Sequence, residues 1–313
     1  MMVMSKRAPA RSAGCPIILK PAEQTPLATL LLDAFIQAAG IPEGVVNIVT
    51  DFGETAGAAL VDHRAVDKIT FTGSSATLKR MSLELGGKSP TIILADADPD
   101  RPIPGASRSL FMNSGQVCGA ALGLYAHKTL FDGVVGGMAD KALRLRAGPG
   151  LNPDTEIGPL MSEEQLSRVA GYLYSAHVNG AELVVGGHQL DGPGYFVEST
   201  ILTNTTRDMS GRQEEIFGPV RCVMRLDDLD LSAIAADANG TVYGVAANIW
   251  TKDMAAGHTL ARLIRAGPIR VNGGVMDAAI PFGGYKESGW GRENGREGVE
   301  LYTELKSVSV RLG

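Results

Sequence analysis

Short apolar runs alternate with longer amphipathic stretches along this chain, and that rhythm predicts an α/β protein. Pro16-Ile17-Ile18-Leu19-Lys20 reads as a buried strand. Thr25 then predicts a helix cap with Pro26 at the first helical position, Leu27, Leu30, Leu31, Ala34 and Phe35 on one face, and Gly40 as the stop. Val45-Val46-Asn47-Ile48-Val49 is the next strand, a Gly-bounded helix follows over roughly 53–61, and Asp67-Lys68-Ile69-Thr70-Phe71 is a third strand. Strand, helix, strand, helix, strand with short connections implies parallel pairing through right-handed crossovers.

The rhythm continues beyond Glu84. Strands are predicted at 91–94, 124–127, 182–185, 220–225, 243–250 and 268–271, with helices near 105–118, 128–146, 229–238 and 253–265. Ser162 followed by Gln165 is a capping-box pattern, opening a helix whose apolar stripe is Leu166, Val169, Ala170 and Leu173. The last run, Leu305 to Leu312, alternates like a half-exposed strand. The Gly86-Gly87 turn is the best boundary between two units, so residues 1–84 and 85–287 are read as separate domains and 288–313 as a returning tail.

Composition adds exclusions. The chain has 313 residues, 44% of them hydrophobic and 20% charged, enough for two domains or one large one. A net charge of −5 without a Lys/Arg block gives no electrostatic case for nucleic acid. No apolar run reaches the roughly 18–20 residues of a spanning helix, so no membrane partner is expected. Three widely spaced cysteines, Cys15, Cys118 and Cys222, form no disulfide framework and point to a reducing, cytoplasmic setting. Met1 to Ser12 is basic and lacks acids; it reads as a helix remnant, with a targeting segment as the alternative. No metal is expected.

Two features carry chemistry. Cys118 sits among small residues in Asn113-Ser114-Gly115-Gln116-Val117-Cys118-Gly119, and Glu84 sits in Leu83-Glu84-Leu85-Gly86-Gly87-Lys88-Ser89-Pro90. A thiol plus a carboxylate from another Gly-rich turn suits acyl transfer: the sulfur attacks a carbonyl and the carboxylate later activates water. Alone, such a cysteine is more often a buried core residue than a nucleophile, and such a glutamate is usually a solvated or paired carboxylate. Phe71-Thr72-Gly73-Ser74 ends a strand in a turn able to meet a phosphate. Lys20-Pro21-Ala22-Glu23 offers an ammonium and a carboxylate to ribose hydroxyls, or is a surface loop.

With Glu215-Ile216-Phe217-Gly218-Pro219 and the run from Pro281 to Glu293, six motifs occur in one order. In that order the sequence resembles the aldehyde dehydrogenase superfamily from about residue 8 to the C-terminus, matching roughly the last two-thirds of a family subunit. The resemblance implies a partial Rossmann-like parallel-sheet cofactor domain joined to an α/β catalytic domain. It implies Cys118 as nucleophile, Glu84 as general base for deacylation, and NAD as cofactor. Lys20 and Glu23 would meet the adenosine ribose, Gly73 and Ser74 the pyrophosphate, and Glu215 the nicotinamide ribose, with Phe217 beside the nicotinamide. A carboxylate at Glu23 accepts from a free 2′-hydroxyl and repels a 2′-phosphate, hence NAD over NADP. The implied reaction is oxidation of a small-molecule aldehyde to a carboxylic acid through a Cys118 thiohemiacetal and thioester. In family members the final strand joins subunits, so a homo-oligomer formed through that strand is expected.

The resemblance also marks departures. The chain starts just after the family's Pro-Trp-Asn segment, whose Asn stabilises the oxyanion; losing one such donor typically lowers the rate about 10²–10³-fold. About three helical turns are missing after Ser74 by comparison with the family, judged at 3.6 residues per turn. Asp51 replaces a usual Gly, and Pro102 and Pro104 predict a helix that starts late. Two other readings therefore accompany the enzyme: an impaired remnant serving as a binding or assembly partner, and a cofactor-independent thiol esterase.

Overall fold

The computed structural model describes residues 2–73, 82–98, 100–120, 123–227, 230–275 and 277–312. The first part holds α1 (Met2–Ser12), β1 (Ile17–Leu19), α2 (Leu27–Ala38) and β2 (Val46–Ile48). A π-helical turn, Gly53–Gly57, runs into α3 (Ala58–Asp62), followed by β3 (Thr70–Thr72) and β4 (Ser82–Glu84). The helix at the N-terminus agrees with the helix reading of Met1 to Ser12. Gly40, at φ +68°, ends α2 as expected. Thr25 does not cap α2: Pro26 takes the capping position and no side chain bonds there.

Pairing is where the first part differs most from expectation. β1 and β2 are parallel in register Ile17↔Val46 through Leu19↔Ile48, and form a two-stranded sheet. β3 does not join them. It pairs in parallel with β4, which also pairs antiparallel with β12 (Gly289–Trp290). The apolar period identifies a strand but not its neighbour, so the single sheet expected from the rhythm appears as two.

A seven-stranded sheet forms the larger part. Its strands are β5 (Pro90–Ile93), β6 (Gly123–His127), β7 (Glu182–Val185), β8 (Thr200–Thr203), β9 (Val220–Leu226), β10 (Ala247–Trp250) and β11 (Ile269–Val271). The spatial order is β11-β10-β5-β6-β9-β8-β7, parallel throughout except that β7 runs antiparallel to β8. Every residue of β5, β6 and β8 is buried, as fits a parallel sheet covered on both faces. The two-residue period sorts them: Ile92 and Tyr125 enter one core, Ile93 and Leu124 the other. Helices α4 (Pro102–Phe111), α5 (Phe131–Arg144), α6 (Glu163–Val178), α7 (Ser210–Gln213), α8 (Leu231–Ala238) and α9 (Met254–Leu263) accompany this sheet, and α10 (Gly295–Glu300) packs on α1.

Local signals mostly survive. Ser162 Oγ accepts from Gln165 N–H at 3.2 Å, the cap its spacing predicts. Pro102 and Pro104 do not delay α4, because both fall in its first turn, where N–H groups have no intrahelical acceptor. The helix stops at Phe111, earlier than predicted, and Cys118 lies beyond it in a turn. Leu305 to Leu312 forms no strand: it has no regular secondary structure, pairs with no described neighbour, and leaves Leu305, Val308, Val310 and Leu312 exposed.

Ser288, fully buried, ties the tail to the centre. Its hydroxyl donates to the Gly86 carbonyl at 2.7 Å and accepts from the Gly244 N–H at 2.9 Å. Ser288→Ala strands both backbone groups, so a loss of about 1–3 kcal/mol is expected. Urea unfolding should show a lower midpoint with unchanged slope; a change within about 0.5 kcal/mol would contradict this role.

Candidate active site

The Glu84 to Pro90 run crosses from one sheet to another. Glu84 ends β4, where it faces Thr72 of β3 and Gly289 of β12, and the chain enters β5 at Pro90. Between them Leu85 N–H donates to the Ser288 carbonyl at 2.9 Å. A β-carbon on Gly86 would overlap the Glu215 carboxylate, and one on Gly87 would overlap the Cys118 carbonyl. Glycine is required here for close approach, not for backbone conformation. Gly87 N–H donates to Glu215 Oε1 at 2.9 Å, and the buried Lys88 ammonium donates to the Gly211 carbonyl. Glu84, Cys118 and Glu215 are thus gathered on one glycine pair.

The loop bearing Cys118 is held from both sides. Asn113, Ser114 and Gly115 take φ values of 52°, 55° and 73°, a left-handed sequence that typically strains a non-glycine residue by about 1–3 kcal/mol. Compensating bonds run to the 158–161 segment: Ser114 Oγ donates to Gly158 O at 2.8 Å, and Gln116 Oε1 accepts from Met161 N–H at 2.9 Å. Gly115 abuts the Gly218 carbonyl, which brings the Glu215–Pro219 turn alongside. Arg168 donates to Glu215 O at 3.0 Å, while Gln165 Nε2 donates to the carbonyls of Ile216 and Phe217, each at 2.9 Å. Phe217 is half-buried with φ 54°. Cys118 itself is half-buried.

All three segments precede a strand: Gly86-Gly87 leads into β5, Cys118 into β6 and Glu215 into β9. The cluster therefore lies at the amino ends of the parallel strands. Open parallel sheets usually bind ligands at the carboxyl ends. Here the carboxyl end of β4 delivers Glu84 to that place.

Lys20 and Glu23 form a second group just past β1. Lys20 Nζ lies 3.3 Å from Glu23 Oε1, which also accepts from Gly53 N–H at the start of the π-helical turn. Hydrogen bonds from the Glu23 and Gly53 backbone hold this carboxyl below its ordinary pKa. An ammonium and an ionised carboxylate at the carboxyl end of a parallel strand suit a ribose diol. Asp51 accepts from Phe52 N–H at 2.7 Å, which gives the residue that replaces the usual Gly a local job. Gly73 closes β3 by donating to Glu84 O at 3.1 Å; Ser74 lies outside the described residues.

A model of the aldehyde dehydrogenase family matches residues 1–308. The chain belongs to the aldehyde dehydrogenase family. It is 46% identical over 324 residues to DhaS of Bacillus subtilis (strain 168), an alignment covering 100% of this chain and 65% of DhaS. Aldehyde dehydrogenase 1A1 of Homo sapiens is 41% identical over 325 residues, again with 100% of this chain and 64% of that protein. The NAD+ complex of aldehyde dehydrogenase from Bacillus cereus matches with a TM-score of 0.96 at 42% identity, covering 100% of this chain and 66% of the other. The chain thus spans about two-thirds of the length of these relatives.

Sequence reasoning missed the surroundings of Glu84 in this aldehyde dehydrogenase family chain. Lys6 of α1 forms an ion pair with Glu293, which lines a cleft of about 10 Å³ with Glu84, Thr70, Arg292 and Tyr302. That volume is close to one water-sized probe. Tyr302 links the parts, sharing a 3.0 Å hydrogen bond with Thr70 Oγ1 and donating to the Lys6 carbonyl at 3.4 Å. The available signal was an acid closing the Gly-rich run at Glu293; nothing local marked Lys6. Among the described residues, no group of three or more His, Cys, Asp or Glu comes together for a metal ion, and no helix is long and apolar enough to cross a membrane.

Glu84 is 3% exposed, and among the described residues neither carboxyl oxygen has a hydrogen-bond partner. Burial first, then the Glu293 charge, pushes its pKa up to about 8, against Lys6 and Arg292. Burial first, then the Glu84 and Glu215 charges, pushes the Cys118 thiol up to about 11, opposed by a hydrogen bond from Gly119 N–H. The folded protein therefore binds a proton at Glu84 more tightly than the unfolded chain, whose value is near 4.5. That contribution to stability is complete below about 4.5, erodes as pH rises, and is gone above about 8. Glu84→Gln should remove this downward slope, measured as the difference between the two proteins in urea unfolding across pH 4–9; identical slopes would contradict the assignment. Alkylation of Cys118, followed by mass spectrometry of its peptide, should be slow at pH 7, rise steeply toward pH 11, and shift to lower pH in Glu84→Gln.

Proposed function

We propose that this chain oxidises an aldehyde to a carboxylic acid with NAD, with Cys118 as nucleophile and Glu84 as general base. The carrying observation is the glycine pair that seats Glu215 on Gly87 N–H while packing Gly87 against Cys118. NAD, when bound, accepts a hydride and brings a cationic ring. Lys20 and Glu23 hold its adenosine ribose; Glu23, already ionised, disfavours a 2′-phosphate. Glu215 and Phe217 lie on the cysteine side, suited to the nicotinamide end.

The residues divide the work. Cys118 sulfur bonds to the carbonyl carbon, and its proton leaves the thiol. A hydride leaves that carbon, giving the acyl thioester. Glu84, deprotonated, takes a proton from water; hydroxide adds to the thioester and the carbon–sulfur bond breaks, releasing acid and thiol. The sum is aldehyde, NAD+ and water to carboxylic acid, NADH and a proton. The proton gained by Glu84 lies beside the Glu293 carboxylate, which is paired with Lys6.

We read residues 1–84 as the cofactor part, 85–287 as the catalytic part and 288–313 as the tail. The exposed apolar side chains of 305–312 are the face through which two copies pair. A second reading has one specific support: β1–β2 is separate from the sheet holding β3, which favours weak cofactor binding with acyl chemistry intact. On that reading the chain acts as a thiol esterase.

NADH formation from propanal at micromolar enzyme is expected with the parent chain and absent in Cys118→Ala. Glu84→Gln should be slower by about 10²–10⁴-fold. No NADH above the Cys118→Ala background sinks the oxidative reading. Ester hydrolysis that persists without NAD and disappears in Cys118→Ala would then support the esterase.

A further inference from the structure

A pocket of about 330 Å³ lies between β11 and the loop returning toward β12. That is the lower end of the range typical of small-molecule sites. Val275, Ile280, Pro281 and Phe282 give it apolar walls, and Arg270 is the one cation among its lining residues. Arg270 is half-buried, and loss of solvent lowers its pKa with no charge nearby to oppose the shift. It takes part in none of the ion pairs among the described residues. Asp277 also lines the pocket, but its Oδ1 accepts from Ala279 N–H at 2.8 Å and caps its own turn. A guanidinium has five N–H donors and cannot shed its proton, so a half-buried one outside every ion pair of the described residues favours an anion.

The pocket adjoins the carboxyl cluster through one pair of residues. Phe282 in its wall exchanges both backbone hydrogen bonds with Glu293, at 2.7 and 2.6 Å. Glu293 holds Lys6 next to Glu84, and the following residue, Asn294, lines the pocket again. Phe282 and Asn294 are thus the lining residues that border Glu293, while Arg270 lies on β11.

We infer that Arg270 selects aldehydes that carry a carboxylate at the far end, with the apolar walls taking the methylenes between. This rests on the aldehyde-oxidising reading above. The guanidinium fork matches a carboxylate bidentately, and a neutral aldehyde of equal length leaves it unpaired. The chemistry at the aldehyde carbon is unchanged; only the anchor differs.

The test uses the full chain with Arg270→Gln and Arg270→Lys, each checked by thermal unfolding. Glutarate, an unreactive dicarboxylate, serves as the binding probe in calorimetry; 4-oxobutanoate and butanal are the turnover pair. Glutarate should bind the parent chain about 10–100-fold tighter than Arg270→Gln, with Arg270→Lys between them. The kcat/KM ratio of 4-oxobutanoate to butanal should fall by a similar factor in Arg270→Gln. Glutarate heat that is absent in the parent or equal in all three proteins overturns the assignment. So does a turnover ratio that Arg270→Gln leaves unmoved, while the oxidative reading survives. Arg270-dependent glutarate binding with no NADH from either aldehyde keeps the anion site and removes the oxidation.

Discussion

A strip of backbone with no side chains, wedged between a carboxylate and a carbonyl, is the contact on which the centre of this molecule depends. Gly86 passes against Glu215, and Gly87 against the Cys118 backbone. Neither has a positive φ, so steric room rather than conformational freedom demands glycine. Any β-carbon would push three segments apart: the one ending in Glu84, the one bearing Cys118, and the turn of Glu215. Ser288 then clamps the Gly86 carbonyl from the tail side, so that the last quarter of the chain fixes a turn near its first quarter.

The same packing sets the electrostatics. Glu84, Glu215 and Glu293 all act on Cys118, and burial strengthens each effect by removing solvent screening. Lys6 and Arg292 supply the opposing charge, but on the side of Glu84. The sulfur therefore faces an excess of negative potential. Both groups are pushed toward their neutral forms, Glu84 by burial and then Glu293, Cys118 by burial and then Glu84. Positive charge brought by a ligand would favour the thiolate that burial and the nearby carboxylates disfavour. In the reading proposed above, the cationic ring of NAD supplies that charge, and it couples cofactor binding to nucleophile activation without any moving part.

Much of this was legible in the sequence, where the information is local. The apolar periods located β1, β2, β5, β6, β9 and most helices to within a few residues, and the capping spacing at Ser162 and Gln165 gave the start of α6. Glu84 and Cys118 were readable as candidates from their Gly-rich settings, and Glu215 through the family resemblance. Partnership was not readable. The Lys6–Glu293 pair joins residues 287 positions apart, and a period of two does not say that β3 pairs with β4 instead of β2. β8 escaped because Thr200-Ile201-Leu202-Thr203 is short and half polar, although every residue of it is buried. Leu305 to Leu312 has a strand's alternation but pairs with no strand among the described residues. Alternation records which face an extended segment could bury, and only a neighbour turns it into a strand.

The two halves of the candidate site differ in what holds them. Lys20, Glu23 and Gly53 are joined by short connections within one stretch of chain, and their bonds need neither the β3 sheet nor the seven-stranded one. Glu84 and Cys118 depend on long-range contacts from Ser288, Glu215, Lys6 and Glu293. A perturbation between β1 and β3 thus acts first on how the Lys20–Glu23 group is placed relative to the thiol, and leaves the thiol's own surroundings intact. Hydride transfer needs both halves aligned, since a misplacement of about 1 Å can lower a rate about 10²-fold. Acyl transfer needs only the second half. On the reading proposed above, oxidation is therefore more sensitive than thioester hydrolysis to how the two sheets are joined.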